Sequence, residues 1–399
     1  MNNTPIGNRK SIVLVGNRNA GKSTIFNKLL GFDRSIVSSV AGTTTDPVWK
    51  ASEMIGYGAV RIVDTAGLDD IGKLGSQRVA KSEEEMRDSD LLVYIFNIED
   101  LVNIEEEIIR KKIKDIKSKY KDKEFIFIAN KIDLLDEKIL DDIKLRYKDF
   151  IFISTKSKEN VWLENLNNKI IEKLKNTEEE KSLLEGMLSY GDTALLVVPI
   201  DSEAPKGRLI LPQVQIIRAC LDEGIKVIVC RDSELEETLK ENKNIDLVIT
   251  DSKVFDKVAD IVPESISLTS FSILFAREKG DIEEFLKGAR HLERLKDGDK
   301  VLIAESCTHT VSHEDIGQVL IPNLIRKKTG KKIEFEFVYG KSLPDDLERF
   351  SMIIQCGGCM MTRNNMMNRV YAAREHNLAI TNYGVTLAYL KGVFDRAVY

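Results

Sequence analysis

No stretch of the 399-residue chain approaches the roughly 20 consecutive apolar residues that a membrane-spanning helix needs; the longest runs are short ones such as 91–96 and 194–199. No membrane partner is expected. The first nine residues are polar and lead at once into a strand pattern, without the apolar core and small-residue cleavage site of a secretory signal, so the cytoplasm is the expected compartment. Cysteine is scarce, and five in this length build no disulfide framework. Cys307, Cys356 and Cys359 fall in the last quarter, where clustered cysteines in a reducing cytosol more often mean metal or redox chemistry. Positive charge is not in excess either: 59 basic against 64 acidic residues leave a formal charge of −5, which argues against a general nucleic-acid binder. No nucleic-acid partner is expected. Low-complexity segments and convincing internal repeats are also missing.

What is present suits a globular chain. Hydrophobic residues at 43% and charged residues at 31% can bury a core in each of several domains, and the length suggests two or three. From 10 to about 175, β-branched runs (11–15, 59–63, 91–96, 125–129 and 150–154) alternate with charged amphipathic stretches, the mark of a doubly wound α/β domain with a mostly parallel sheet. The basic tract 110–123 is read as the solvated face of a helix, since Ile113 and Ile116 recur at helical spacing among its lysines. An acidic stretch at 176–185 is taken as a linker. A second α/β block follows, with strands at 193–199, 226–230 and 246–250 and helices near 212–222 and 234–241. It carries no site motif and reads as an interaction or dimerisation module. After a connecting helix near 282–295, a third block has strands at 300–305, 333–338 and 352–355 and helices near 316–329 and 364–376. The expected fold class is α/β, in three α/β domains at 8–175, 186–275 and 276–399.

The run Gly16-Asn17-Arg18-Asn19-Ala20-Gly21-Lys22-Ser23 follows a strand and precedes a helix beginning near Thr24, which is the full phosphate-loop pattern in its required setting. Its glycines let backbone N–H groups and the helix N-terminus approach phosphates; Lys22 reaches the β- and γ-phosphates and Ser23 offers a hydroxyl to Mg²⁺. The plain alternative is a glycine-rich turn without function. Asn130-Lys131-Ile132-Asp133 follows the 125–129 strand, and the Asp133 carboxylate can accept two parallel hydrogen bonds from guanine N1–H and its 2-amino group, a donor pair adenine lacks. GTP is therefore the expected ligand. Ser154-Thr155-Lys156 would support the base from the far side. Asp64-Thr65-Ala66-Gly67 ends another strand, where Asp64 can hold a water of the Mg²⁺ shell and the Gly67 N–H can meet the γ-phosphate.

Together these motifs resemble the translation-factor-like GTPases, and Ala41-Gly42-Thr43-Thr44-Thr45-Asp46 resembles the first switch of the Era, EngA and MnmE group, with Thr45 where that group has arginine. The resemblance implies that Thr44, rather than Thr43, closes on Mg²⁺. It also implies that Asn19 helps hold K⁺ beside the phosphates. Leu68 stands where many GTPases have the glutamine that orients the attacking water, a task leucine cannot perform. Slow, K⁺-stimulated hydrolysis is the implied activity, with Lys22, Thr44, Asp64 and Gly67 as its catalytic set.

Cys307-Thr308-His309 and Cys356-Gly357-Gly358-Cys359 both follow strands of the third block, so they should meet at the carboxyl edge of one sheet. Chemistry alone leaves an iron–sulfur cluster and a Cys₃His zinc site open, beside the plain reading of three unligated thiols. A GTPase domain, a middle α/β domain and this terminal cysteine domain together resemble the [FeFe]-hydrogenase maturation GTPases, the HydF family, over nearly the whole chain. That resemblance implies a [4Fe–4S] cluster on Cys307, Cys356 and Cys359, and a scaffold that carries a di-iron precursor of the hydrogenase active site. By the same resemblance its partners would be the radical-SAM hydrogenase maturases and the [FeFe]-hydrogenase apoprotein, and the protein would be a homodimer. Gln355 stands where the family usually has histidine, which leaves His309 and Glu314 as candidates for a fourth, exchangeable ligand. His313 is read as exposed or supporting, Met360, Met361, Met366 and Met367 as packing, and Cys220 and Cys230 as buried hydrophobes. The competing readings are a ribosome- or RNA-associated GTPase with a structural zinc site and a GTP-dependent enzyme acting on a small molecule.

Overall fold

A computed structural model describes residues 6–32, 47–70, 72–157, 161–177, 182–200, 209–306, 316–358 and 361–399. The chain divides into two compact units, Met1–Glu179 and Glu180–Tyr399. The first runs β1 (Lys10–Val15), α1 (Lys22–Phe32), β2 (Val48–Met54), β3 (Gly58–Asp64), α2 (Lys73–Asp88), β4 (Leu91–Asn97), α3 (Ile98–Asn103), α4 (Glu106–Lys119), β5 (Glu124–Asn130), α5 (Glu137–Arg146), β6 (Phe150–Ile153) and α6 (Val161–Asn176). Its six-stranded sheet has the order β2-β3-β1-β4-β5-β6, parallel throughout except for the β2–β3 pair.

The central strands are unbroken apolar runs because helices cover both faces of the sheet. Ile12, Leu14, Leu91, Val93 and Ile95 pack with Ile25, Leu166 and Ile170 on one face, while Val13, Val15, Leu92 and Tyr94 pack with Met86, Leu101 and Ile109 on the other. Each such aliphatic side chain, wholly withdrawn from water, contributes about 1.5–3 kcal/mol. Register then aligns the functional ends of the strands: Leu14 lies opposite Asp64, Val15 opposite Tyr94, Asn97 opposite Asn130, and Asn130 opposite Ile153. The phosphate loop, the turn after Asp64 and the loops that follow β5 and β6 therefore leave the sheet at one edge. α4 buries Ile109, half-buries Ile113 and Ile116, and turns Lys111, Lys114, Lys117 and Lys119 outward, as the reading of the basic tract requires, while Lys112 is half-buried with its ammonium 3.5 Å from Asn17 Oδ1.

The second unit runs β7 (Thr193–Val197), α7 (Leu211–Asp222), β8 (Lys226–Cys230), α8 (Leu235–Glu241), β9 (Leu247–Thr250), α9 (Phe255–Ile261), β10 (Ser267–Ser270), α10 (Phe271–Lys279), α11 (Ile282–His291), β11 (Lys300–Glu305), α12 (Ile321–Thr329), β12 (Glu334–Tyr339), β13 (Met352–Gln355), α13 (Arg363–Glu375), β14 (Ala379–Asn382) and α14 (Tyr383–Leu390). Its two four-stranded sheets, β10-β9-β7-β8 and β12-β11-β13-β14, are wholly parallel and share one strand order, with the first strand in chain order standing between the second and third. Leu195, Val248, Leu268, Phe285, Leu302, Ile353 and Val370 belong to one continuous apolar cluster, so the two sheets share a core.

Several elements depart from the sequence expectation. β2 was not anticipated: it is a half-exposed antiparallel edge strand whose Lys50 and Glu53 break the apolar run. β10 and β14 are four residues each, and their buried Ser, Thr and Asn are held by strand pairing rather than by local propensity. The acidic stretch expected as a linker is in part structured: Asn176 is the last residue of α6, and Leu184 is fully buried in the core of the second unit. Among the described residues, no helix is long and apolar enough to cross a membrane.

Candidate nucleotide and metal sites

The phosphate loop leaves β1 at Gly16 and enters α1 at Lys22. Lys22 is buried, and its ammonium donates to the carbonyls of Gly16 at 3.0 Å and Asn17 at 2.8 Å, which folds its side chain back along the loop. Burial pulls its pKa down, against the charges of Asp64, Asp69 and Asp70. Asn19 adopts the left-handed conformation, φ 58°, that Asn tolerates better than most residues. Asp64, at the end of β3, has its carboxyl pushed up chiefly by burial, opposed by the Ser23 hydroxyl and the Lys22 charge. Its buried Oδ1 has no hydrogen-bond partner among the described residues. An orphaned carboxylate oxygen beside a serine hydroxyl fits an octahedral Mg²⁺, which binds few protein ligands and keeps its waters. Thr65 anchors the same turn by donating to the Leu14 carbonyl at 2.7 Å.

Asn130 takes a role that its motif alone did not reveal. It is fully buried, donates from Nδ2 to the Ala20 carbonyl at 2.9 Å, and accepts from the Thr155 N–H at 3.3 Å. One side chain thus ties the phosphate loop to the loop that flanks the base. Gly21 is what permits this: at φ 103°, any Cβ there would collide with the Asn130 amide. Asp133 is exposed, accepts from Ser154 Oγ at 2.6 Å, and stands 3.3 Å from Lys156 Nζ. The Ser154 bond, then Lys156, hold its carboxyl below the usual range, so it is ionised and ready to accept from a base. Lys131 is left-handed at φ 68° and opens the turn that presents Asp133. Thr44 lies outside the described residues, as does the rest of the expected first switch up to Asp46. A cavity of about 570 Å³ elsewhere on this unit, lined by Arg110, Lys117, Lys121 and Arg146 from the α4 and α5 ends, involves none of these motifs.

In the second unit β11 and β13 are neighbours, with Ala304 opposite Gln355, so Ser306 and Cys356 emerge side by side. The Ser306 N–H donates to Cys356 Sγ at 3.2 Å, and Ser306 Oγ lies 2.7 Å from the same sulfur. Cys307 is the next residue in the chain. Cys307, His309, His313, Glu314, Cys359 and Met360 lie outside the described residues, and among those described no group of three His, Cys, Asp or Glu side chains could hold a metal ion. The described surroundings fit a thiolate-bound group: a half-buried sulfur with N–H and O–H groups beside it, at the carboxyl ends of adjacent parallel strands where open α/β sheets take ligands. Gln355 is fully buried, and neither end of its amide has a hydrogen-bond partner among the described residues.

Two buried cations bracket this edge, and sequence reasoning missed both. Arg369 of α13 donates to the carbonyls of Ala304 at 3.2 Å, Lys341 at 3.3 Å and Gly340 at 2.5 Å. Lys279, the last residue of α10, donates to the carbonyls of Gly358 at 3.3 Å and Met361 at 3.1 Å, on either side of Cys359. Neither position carries a signal in its local pattern, since each sits in an ordinary helical stretch. Lys279→Met keeps the length but removes the donors, and is expected to lower stability by about 2 kcal/mol, read from the urea midpoint. Cys220 and Cys230 are buried as expected, burial pushing the Cys220 thiol up to about 11. Met361 and Met366 pack inside, also as expected.

Comparison with known proteins assigns the units. Residues 183–280 match a family model described as the hydrogen maturase F dimerization domain, and residues 283–399 match one described as the hydrogen maturase F tetramerization domain. The chain belongs to the hydrogen maturase F family. Residues 11–131 match a model described as a 50S ribosome-binding GTPase, so a P-loop GTPase domain precedes the two maturase domains. The matched models support self-association through both later segments, where only the middle one was expected to carry it. Relatives of the GTPase domain include the tRNA modification GTPase MnmE of Nitratiruptor sp., 41% identical over 127 residues (31% of this chain, 27% of that one). MnmE of Aliarcobacter butzleri is 37% identical over 137 residues (33% and 29%). The chain thus spans less than a third of the length of these curated relatives. A solved structure of Aquifex aeolicus Era bound to GDP.AlF4- aligns at 18% identity and a TM-score of 0.31, over 85% of this chain and 94% of that one, a likeness too slight to carry an argument.

Proposed function

We propose that the chain is a GTP-hydrolysing scaffold that carries a [4Fe–4S] cluster on Cys307, Cys356 and Cys359, assembles a di-iron precursor beside it and hands that unit to an [FeFe]-hydrogenase apoprotein. The observation that carries this reading is the Cys356 sulfur against Ser306, one residue from Cys307, in a chain whose later segments match hydrogen maturase F models. A cluster with one coordination position not filled by cysteine supplies an exchangeable site for another metal unit. This chain's residues provide the setting. The Ser306 N–H donates to a ligand sulfur, while Lys279 and Arg369 fix the backbone around it and set positive charge near an anionic centre. His309 and Glu314 are the candidates for the remaining position, since Gln355 offers only an amide.

At the nucleotide, Asp133 selects guanine and Asn130 holds the base loop against the phosphate loop. Lys22, Ser23, Thr44, Asp64 and Gly67 serve the phosphates and Mg²⁺, and Asn19 serves K⁺. Because Leu68 cannot orient water, hydrolysis relies on charge stabilisation, is slow, and is faster in K⁺ than in Na⁺. GTP controls engagement of the radical-SAM maturases and of the hydrogenase, because the nucleotide motifs and the cysteines lie in separate units; the working form is a homodimer or a higher assembly in the cytoplasm. The test is activation of hydrogenase apoprotein by the loaded scaffold under GTP, GDP and no nucleotide. Transfer that depends on the nucleotide supports the proposal; identical transfer and identical partner affinity in all three would refute the coupling. The RNA-associated alternative draws on the N-terminal third alone.

A further inference from the structure

The turn after Asp64 is clamped onto the phosphate loop by a carboxylate. Asp69 Oδ1 accepts from the Arg18 N–H at 2.7 Å, the Leu68 N–H donates to the Gly16 carbonyl at 3.3 Å, and the Arg18 guanidinium stands 3.4 Å from Asp70 Oδ1. Asp70 is itself shared with Arg78, 3.8 Å away. Phosphate-loop N–H groups are the donors that cradle phosphate, and here one of them is spent on a side-chain anion. The carboxylate also lies against Gly67, whose N–H is the donor expected to meet a γ-phosphate: a Cβ built on Gly67 would come within 2.7 Å of Asp69 Oδ1 and 2.8 Å of Arg18 N. The space between Arg18 and Gly67, at the outer end of the loop, therefore holds a carboxylate oxygen. Asp69 is otherwise exposed, so packing does not force it there.

We propose that Asp69 is the residue that makes this site discriminate a nucleoside triphosphate from a diphosphate, by occupying the terminal-phosphate end of the loop. The inference rests on reading the N-terminal unit as a guanine-nucleotide site. A diphosphate, seated deeper by Lys22 and the start of α1, leaves the Asp69–Arg18 bond in place. A third phosphate cannot share the Arg18 N–H with a carboxylate, and two anions at that distance repel. The triphosphate must displace Asp69, and displacement frees the whole 67–70 turn, since Leu68 and Asp70 are fastened to the same loop. Discrimination and switching are then one event, at the cost of some triphosphate affinity.

The test is equilibrium binding of fluorescent GDP and of a fluorescent non-hydrolysable GTP analogue, with Mg²⁺, to the full chain and to Asp69→Asn. The amide keeps the size of the side chain and removes its charge. The analogue is expected to bind about tenfold more tightly to the variant, with GDP affinity changed by less than about twofold; a tenfold change corresponds to about 1.4 kcal/mol. Unaltered GDP binding also reports an intact fold. Equal changes for the two nucleotides, no change, or weaker analogue binding would overturn the inference while leaving the nucleotide site itself established. Wild-type protein that bound neither nucleotide would overturn both.

Discussion

Cys356→Ala protein prepared without oxygen is expected to lose its iron–sulfur absorption altogether. The proposed cluster has three thiolate ligands, and a cubane deprived of one would find no replacement in Cys220 or Cys230, which are buried in the core of the second unit with their thiols pushed up by burial. The loss should not come from unfolding, because Cys356 is only half-buried, its sulfur hydrogen-bonded to Ser306 and its side chain at the margin of the apolar cluster that holds Ile303 and Ile354. Iron and sulfide per chain, measured beside a thermal melt, separate the two causes. Cys220→Ala, the matched control, should retain full metal content. Iron retained in Cys356→Ala would remove this residue from the ligand set.

Asp133→Asn is expected to weaken GTP and GDP binding together, by about 100-fold or more, because two charge-assisted hydrogen bonds at about 1.5–3 kcal/mol each are replaced by one neutral bond and one mismatched donor. The neighbours sharpen the effect. Ser154 and Lys156 are placed to serve an anion, and an amide nitrogen turned toward either would face another donor. Xanthine nucleotides, with a carbonyl in place of the 2-amino group, should recover part of the lost affinity, since the new amide N–H can donate to it. Isothermal titration with GDP and XDP checks both halves. Equal weakening for the two bases would mean that Asp133 supports the loop without reading the base.

The sequence was most readable where one local rule had no competitor. Strands β1, β4 and β5 each hold an apolar run of four or more residues, largely buried on both faces, and the carboxyl ends of β1 and β5 carry motifs whose spacing is tied to phosphate and base chemistry. Edge and short strands were harder. β2 reads as polar because only part of it is covered, and β10 and β14 are strands because β9 and β13 pair with them. The same division holds within the sites. Lys22, Asp64 and Asp133 announced themselves by motif, and so did Asn130, although the two bonds by which it joins the loops were not legible there. Lys279, Arg369 and the Asp69–Arg18 bond were invisible, because a cation in a helix or an acid in a turn acquires meaning only from the carbonyl or N–H that folding sets opposite it.

The most direct measurement is the metal content and EPR spectrum of the full chain purified and reconstituted without oxygen. The account predicts brown protein with roughly four irons and four sulfides per chain and a cubane signal on reduction. Colourless protein holding one zinc per chain would contradict it, leaving a GTPase whose cysteines serve only structure.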